Sequence, residues 1–116
     1  MTHTSARTMA YMRKLGYKVG DTQKPWNPYT RKRTDLFGIF DCLAYKGDET
    51  IGVQACGTDF SAHEKKIRSS EFFHSWLEGG TRFILLVGWS KRVVRNKDGT
   101  KSKVKRWTPR LLYITP

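Results

Sequence analysis

The stretch from residue 34 to residue 57, TDLFGIFDCLAYKGDETIGVQACG, constrains the fold more than any other part of the chain. It holds two runs rich in β-branched and aromatic residues, 36–45 and 50–56, which predict the strands of a β-hairpin. A two-residue turn at Gly47 and Asp48 would pair residues whose numbers sum to 95. Asp41 would then lie opposite Gln54 on one face of the sheet. An acid in an apolar strand needs a partner, because burying an unpaired charge is costly.

The same register places the two cysteines on opposite faces of the hairpin. Cys56 shares a face with Gln54 and Asp41, since side chains two residues apart in a strand point the same way. Cys42 points to the other face, so a disulfide is not expected. Two reduced thiols favour a cytoplasmic location.

The rest of the chain predicts one domain over residues 1–116, because the length suffices for one modest core. Ser61 and Glu64 match a capping box for a helix from Ala62, interrupted near Ser69 or Ser70. The other predicted elements, in chain order, are a helix over 4–15, a strand over 17–19, a loop over 24–28, a strand over 82–89, a turn over 96–99 and a last strand over 104–114.

The chain is strongly basic, with 22 lysines and arginines against 10 acids and a net charge of +12. Between residues 91 and 110 there are nine basic residues and one acid, Asp98. This balance favours a polyanionic partner such as nucleic acid, and a membrane surface is the weaker alternative. No apolar run approaches the length needed to cross a bilayer.

The hairpin resembles the active-site hairpin of the PD-(D/E)XK nuclease superfamily, in which an aspartate is followed on the next strand by glutamate, a spacer and lysine. Asp41 matches the aspartate, Gln54 stands at the glutamate position and Cys56 at the lysine position, giving D-x12-Q-x-C. WNPYTRKRTDLFGIFD, followed by VQACG and a basic helix, looks like small phage and bacterial members of this superfamily, either Holliday-junction-resolvase-like or VRR-NUC-like. The resemblance covers residues 5–90. It implies an α/β, restriction-endonuclease-like fold with an αβββαβ core and a mixed sheet flanked by helices, here with a C-terminal β-hairpin.

The resemblance also implies a site for Mg²⁺, or Mn²⁺, on the hairpin. Asp41, the amide oxygen of Gln54 and the carbonyl of Ala55 would hold the ion, because magnesium prefers oxygen ligands. Asp41 and Gln54 are therefore candidate catalytic residues, with a buried, hydrogen-bonded acid of no catalytic role as the alternative for Asp41. Asp35 is a possible further ligand, but on a straight strand it would lie roughly 20 Å away, so we expect a structural role.

The lysine of the superfamily motif needs a substitute, since the neutral thiol of Cys56 brings no positive charge to a phosphate. In relatives whose lysine has moved, the following helix can supply it. This nominates Lys66 as the catalytic cation, ahead of Lys65 and His63.

Nucleic-acid contacts are predicted along the loop before the hairpin, on the second helix and in the basic segment near the C-terminus. The basic segment would release counterions from phosphates, and an aromatic ring within it could stack on a base. A solvated surface that keeps an edge strand soluble is the alternative. The predicted contact residues are Arg31, Lys32, Arg33, Lys65, Lys91, Arg92, Arg95, Lys103, Lys105, Arg106 and Trp107.

These expectations define a leading hypothesis and two alternatives. The leading one is a metal-dependent DNA endonuclease that hydrolyses phosphodiesters, with a preference for branched DNA carried by the resemblance alone. It would act in the cytoplasm of a bacterial cell or a phage-infected host, with no membrane partner. For a homodimer, the candidate surfaces are Phe72, Phe73 and Trp76 and the exposed edge of the terminal hairpin. The alternatives are a nuclease-fold DNA-binding protein without catalysis, favoured by Gln54 and Cys56, and a basic RNA-binding or structural protein.

Overall fold

The computed structural model describes residues 3–23, 28–29 and 35–116. In chain order the elements are α1 (His3–Lys14), β1 (Lys18–Asp21), β2 (Cys42–Lys46), β3 (Glu49–Cys56), α2 (Phe60–Arg68), α3 (Phe73–Leu77), β4 (Arg82–Arg95) and β5 (Lys101–Tyr113). The five strands form one sheet in the order β1-β2-β3-β4-β5. β3 and β4 are parallel and the other neighbours antiparallel. The predicted α/β class, with a mixed sheet flanked by helices, is confirmed.

The central hairpin has the predicted register. Cys42 pairs with Val53 and Lys46 with Glu49, so paired numbers sum to 95, and Gly47 adopts the positive φ of 59° that its tight turn needs. The predicted start of the first strand of the hairpin was wrong. This strand, β2, begins at Cys42 rather than at Leu36.

Residues 36–40 form a closed turn instead of a strand. The amide of Leu36 donates to the carbonyl of Phe40 at 2.9 Å, and the amide of Phe40 donates back to Leu36 at 3.0 Å. Phe37 and Gly38 have φ of 55° and 73°, which turns the chain back on itself. Ile39 and Phe40 of this run are buried in the core, whereas Phe37 is exposed.

The sheet is buried on both faces. α1 packs on one face, here called the α1 face, whose buried residues include Met9, Met12, Cys42, Ala44, Ile51, Val53, Leu85, Val87 and Trp89. α2 and α3 pack on the other, the α2 face, with Ile39, Phe40, Cys56, Phe60, Ile67, Phe73, Ile84, Leu86 and Ile114. Cys42 and Cys56 therefore lie on opposite faces, as predicted, and both are free thiols.

The helical segment between β3 and β4 begins earlier than its sequence predicts. α2 starts at Phe60 with Asp59 as N-cap, and no side chain caps its amides, so the predicted capping box was wrong. The Asp59 carboxylate instead lies 2.9 Å from Nε2 of His63, one turn along the helix. The predicted interruption is confirmed, because α2 ends at Arg68 and α3 begins at Phe73.

The last two strands extend beyond the rest of the sheet. β4 pairs with β3 only as far as Gly88, whereas it pairs with β5 as far as Arg95. The outer parts of β4 and β5 thus form a two-stranded arm, which contains most of the basic segment noted in the sequence. None of the helices among the described residues is long and apolar enough to cross a membrane.

Candidate functional site

Asp41 and Gln54 meet, as the hairpin register predicts. Oδ2 of Asp41 accepts a hydrogen bond from the amide of Ala55 at 2.7 Å and a second from Nε2 of Gln54 at 3.3 Å. The same Nε2 lies 3.1 Å from the carbonyl oxygen of Ala55. Asp41 and Gln54 are only 4% and 3% exposed, so the three predicted metal-site residues form one buried polar cluster between β2 and β3.

Two further residues join this cluster, and the sequence did not predict either position. Nε2 of Gln23, just after β1, donates to Oδ1 of Asp35 at 2.9 Å and to Oδ1 of Asp41 at 3.2 Å. Asp35 is also hydrogen-bonded to Asp41. The expected separation of about 20 Å was therefore wrong, because the closed turn at 36–40 folds Asp35 back instead of extending it along a strand.

The surroundings of Asp41 favour its protonated form. Burial raises the pKa of this carboxyl to about 7, and the hydrogen bond and negative charge of Asp35 act in the same direction. The amide of Ala55 and the positive charge of Lys66 oppose the rise. The group is thus poised to change protonation near neutral pH, where a cation would favour the ionised form.

The cluster contains carboxyl, amide and carbonyl oxygens, which are the kinds of atom that a hard divalent cation binds. Oε1 of Gln54 and Oε1 of Gln23 are buried and have no hydrogen-bond partner within the described part of the chain. Buried amide oxygens are normally satisfied, so two orphans beside two carboxyls are unusual. Among the described residues, no group of three or more His, Cys, Asp or Glu side chains lies close enough to bind one metal ion. A cation would therefore need amide or carbonyl oxygens in addition to Asp35 and Asp41, and Mg²⁺ accepts such ligands.

Cys56 stands at the lysine position of the motif and Lys66 is its predicted substitute, and both interact electrostatically with Asp41. Burial raises the pKa of the Cys56 thiol to about 11, with the charges of Asp59 and Asp41 adding to the rise, so this thiol is neutral and no activated nucleophile. Lys66 is exposed, and its charge lowers the pKa of Asp41. Lys65 is exposed as well, without such an effect on Asp41.

His63 occupies the same side of α2 as Asp59, to which its Nε2 is paired at 2.9 Å. Its Nδ1 is buried without a hydrogen-bond partner among the residues described. The spacing of Asp59 and His63, four residues apart across the start of a helix, is the sequence signal for this pairing.

The predicted nucleic-acid contacts on the arm divide between the two faces of the sheet. Side chains of a strand alternate, so Lys91 and Lys105 point to the α1 face and Arg92 and Arg106 to the α2 face. Arg95 lies beyond a register shift in the arm and donates to the carbonyl of Gly99 at 3.1 Å. Three predicted contacts, Arg31, Lys32 and Arg33, lie outside the described residues, as does the side chain of Lys103.

Trp107 lies on the α1 face, away from the Asp41 cluster. Trp107 is 45% exposed. The guanidinium of Arg7 lies 4.0 Å from the centroid of its ring, and the ammonium of Lys91 lies 5.3 Å from it. These cation contacts already cover part of the ring surface on which a nucleic-acid base was predicted to stack.

Comparisons of the chain with protein-family models, with curated proteins and with solved structures found no match. Any assignment of activity therefore depends on the geometry of the cluster and on the distribution of charge.

Proposed function

We propose that this protein is a metal-dependent DNA endonuclease of the PD-(D/E)XK type. The observation that carries the proposal is the pair of orphaned amide oxygens, of Gln54 and Gln23, in the buried cluster that also holds the carboxyls of Asp41 and Asp35. The element order, with three antiparallel strands, a helical crossover and a parallel fourth strand, agrees with the core that the resemblance implies.

The residues of the cluster have separate roles in this proposal. Asp41 and the amide oxygen of Gln54 would hold Mg²⁺ or Mn²⁺, together with the Ala55 carbonyl, and Asp35 would add a carboxylate. A bound ion of this kind lowers the pKa of a water molecule and neutralises charge on a phosphate. Lys66, exposed at the rim, adds a positive charge where the phosphate backbone would lie.

The partner in this proposal is duplex or branched DNA, bound through the basic arm, with no membrane involved. Cutting both strands of a branched substrate requires two active sites, which a homodimer supplies. Phe73 is only 3% exposed, so it is excluded from the dimer surface proposed above, whereas Phe72 and Trp76 are partly exposed. The free thiols of Cys42 and Cys56 favour the cytoplasm of a bacterial cell or a phage-infected host.

A catalytically inactive, nuclease-fold DNA-binding protein is the second candidate. Cys56 favours it, because a neutral buried thiol stands where the superfamily motif has lysine. The amide nitrogens of Gln54 and Gln23, rather than their oxygens, face the two carboxyls, which is an arrangement for neutral hydrogen bonding as much as for a cation.

The test is cleavage of labelled linear duplex, single-stranded and four-way-junction DNA, with an RNA duplex alongside, in EDTA, Mg²⁺ or Mn²⁺. Wild type is compared with Asp41→Ala and with Asp48→Ala, a control at an exposed turn of the same hairpin. We expect metal-dependent cutting that Asp41→Ala abolishes and Asp48→Ala preserves. Tight DNA binding without cutting in any metal would establish the second candidate instead.

A further inference from the structure

A cleft on the α2 face lies beside the Asp41 cluster and carries two arginines. It has a volume of about 210 Å³ and is lined by Gly57, Thr58, Phe60, Gly88, Trp89, Ser90, Arg92 and Arg110. Arg110 is not among the contacts predicted from the sequence, because nothing in the order of residues distinguishes it from the other cations of the arm.

Arg110 is held in place within this cleft. Its guanidinium carbon lies 4.0 Å from the centroid of the Phe60 ring, a cation–π contact that restricts a long side chain. Gly88, its partner across the strands, leaves room for that ring, because a β-carbon at Gly88 would lie 2.5 Å from Phe60. The planar guanidinium is thereby oriented before any ligand arrives.

Arg92 approaches the same cleft from the neighbouring strand. It lies on the α2 face, and its Nε is 3.4 Å from Oγ of Ser90. In the part of the chain that the structure describes, neither Arg92 nor Arg110 forms an ion pair with a carboxylate. Two arginines that form no ion pair among the described residues, together with the hydroxyls of Thr58 and Ser90, make a site suited to an anion with several oxygens. Asp59, between the lining residues Thr58 and Phe60, contacts His63 instead.

The position of the cleft relates it to the candidate metal site. A β-carbon at Gly88 would lie 3.6 Å from Sγ of Cys56, so Cys56 adjoins the cleft. Burial and the charges of Asp59 and Asp41 raise the pKa of the Cys56 thiol, and the charge of Arg110 lowers it. Gln54 is two residues before Cys56 on the same face of β3, roughly 7 Å away.

We propose that this cleft is a binding site for a single backbone phosphate of DNA, adjacent to the phosphate presented to Asp41 and Gln54. The site rests on the proposed function for the identity of its ligand, while its capacity to bind a phosphodiester depends only on the two arginines. A phosphate bound in this cleft fixes the register of the DNA strand relative to the candidate metal site.

The test measures DNA binding in EDTA, so that no cleavage is required. Arg92→Gln, Arg110→Gln and the double variant are compared with Arg13→Gln, which removes one charge from an exposed arginine of α1. Affinity is recorded from low to moderate salt, and far-ultraviolet circular dichroism establishes that each variant is folded. Arg110→Lys keeps the charge but cannot form the two-pronged contact.

We expect each single Gln variant to weaken binding roughly ten- to a hundredfold at low salt. The double variant should weaken it little further, and the slope of log affinity against log salt should fall by about 0.9, the value for one phosphate. Arg110→Lys should lose affinity without that change of slope, and Arg13→Gln should bind as wild type does.

Inorganic phosphate provides a second measurement, in which titration should shift the Nε–H resonances of Arg92 and Arg110. Additive losses with a slope change of about 1.8 would mean two separate phosphates and would overturn the proposal. Unchanged DNA binding, or no shift with phosphate, would overturn it as well. Loss of binding in a protein that never cuts DNA would refute the proposed endonuclease and leave this site standing.

Discussion

Asp41 is subject to opposing influences that nearly balance at neutral pH. Burial and the adjacent Asp35 favour a neutral carboxyl, whereas the Ala55 amide and Lys66 favour the carboxylate. A carboxyl in this position is stable without a cation because it can keep its proton, and it can exchange that proton for a metal ion at little cost near pH 7.

The balance predicts an unusual dependence of stability on pH. The folded protein retains a proton on Asp41 up to about pH 7, whereas the unfolded chain releases it near the ordinary aspartate pKa of 3.8. This contribution to stability is therefore complete below about pH 4 and is lost as the pH rises to about 7, by at most about 1.4 kcal/mol per pH unit.

Asp41→Asn should remove this dependence, because an amide does not titrate. Urea unfolding between pH 5 and pH 8, in EDTA, measures the difference in slope between wild type and variant. Asp48→Asn, at the exposed turn, should leave the slope unchanged. Parallel slopes for wild type and Asp41→Asn would contradict the assigned burial of an acid with a raised pKa.

Gln54→Glu tests the cluster as a metal site. The change adds a carboxylate next to Asp41, which should destabilise the metal-free protein by repulsion and tighten Mg²⁺ or Mn²⁺ binding by about tenfold or more. Melting temperatures in EDTA and in each metal measure both effects, with Gln23→Glu as a parallel variant. An equal response to metal in wild type and Gln54→Glu would count against a cation at this place.

At the scale of elements, Asp41 is positioned by one close approach between β3 and the turn before β2. The ring of Phe40 lies against the backbone of Gly52, where no β-carbon fits. Phe40 is fully buried and directly precedes Asp41. The position of the Phe40 ring therefore determines the position of the Asp41 carboxyl. Glycine at this point of β3 is a packing requirement rather than a turn.

Gly52→Ala should therefore destabilise the fold by about 1–3 kcal/mol, the usual cost of overpacking a core. Urea unfolding measures the loss, and Gly20→Ala in β1, where a new β-carbon meets nothing within 4 Å, is the matched control. The variant should also weaken metal binding, because Phe40 must shift and carry Asp41 with it. Equal stability of the two variants would show that the turn adjusts freely.

At the scale of the whole molecule, the sheet separates the basic arm into two differently placed surfaces. Arg92, Arg106 and Arg110 share the α2 face with the Asp41 cluster, whereas Lys91 and Lys105 share the α1 face with Trp107. DNA presented to the cluster must approach from the α2 face. The net charge of +12 alone does not distinguish these surfaces.

Neighbouring residues on the arm provide a direct comparison of the faces. Arg106→Gln should weaken DNA binding and reduce its salt slope by about 0.9, whereas Lys105→Gln should have a smaller effect. Both side chains are exposed, and each variant removes one charge. Fluorescence anisotropy with duplex DNA over a range of salt concentrations measures the difference. A larger loss for Lys105→Gln would place the DNA on the α1 face.

The accuracy of the sequence predictions follows the range of the interactions involved. The register of β2 and β3 was predictable because a two-residue turn fixes it locally, and the contact of Asp41 with Gln54 followed from that register. The start of β2 was not predictable, because an apolar run such as 36–40 can form either a buried strand or a compact turn. The predicted capping box at Ser61 was wrong, because the helix already begins at Phe60, with Asp59 at the N-cap position.

The sequence by itself determined the alternation of apolar residues, the tight turn, the opposite faces of the two cysteines and the excess of positive charge. These depend on the chemistry of neighbouring residues. Only the tertiary structure decided that Asp35 and Gln23 join Asp41, and that Arg110 belongs with Arg92 in one cleft. Such groupings depend on how distant segments pack, because the sheet and the turn at 36–40 bring together side chains that no local pattern relates.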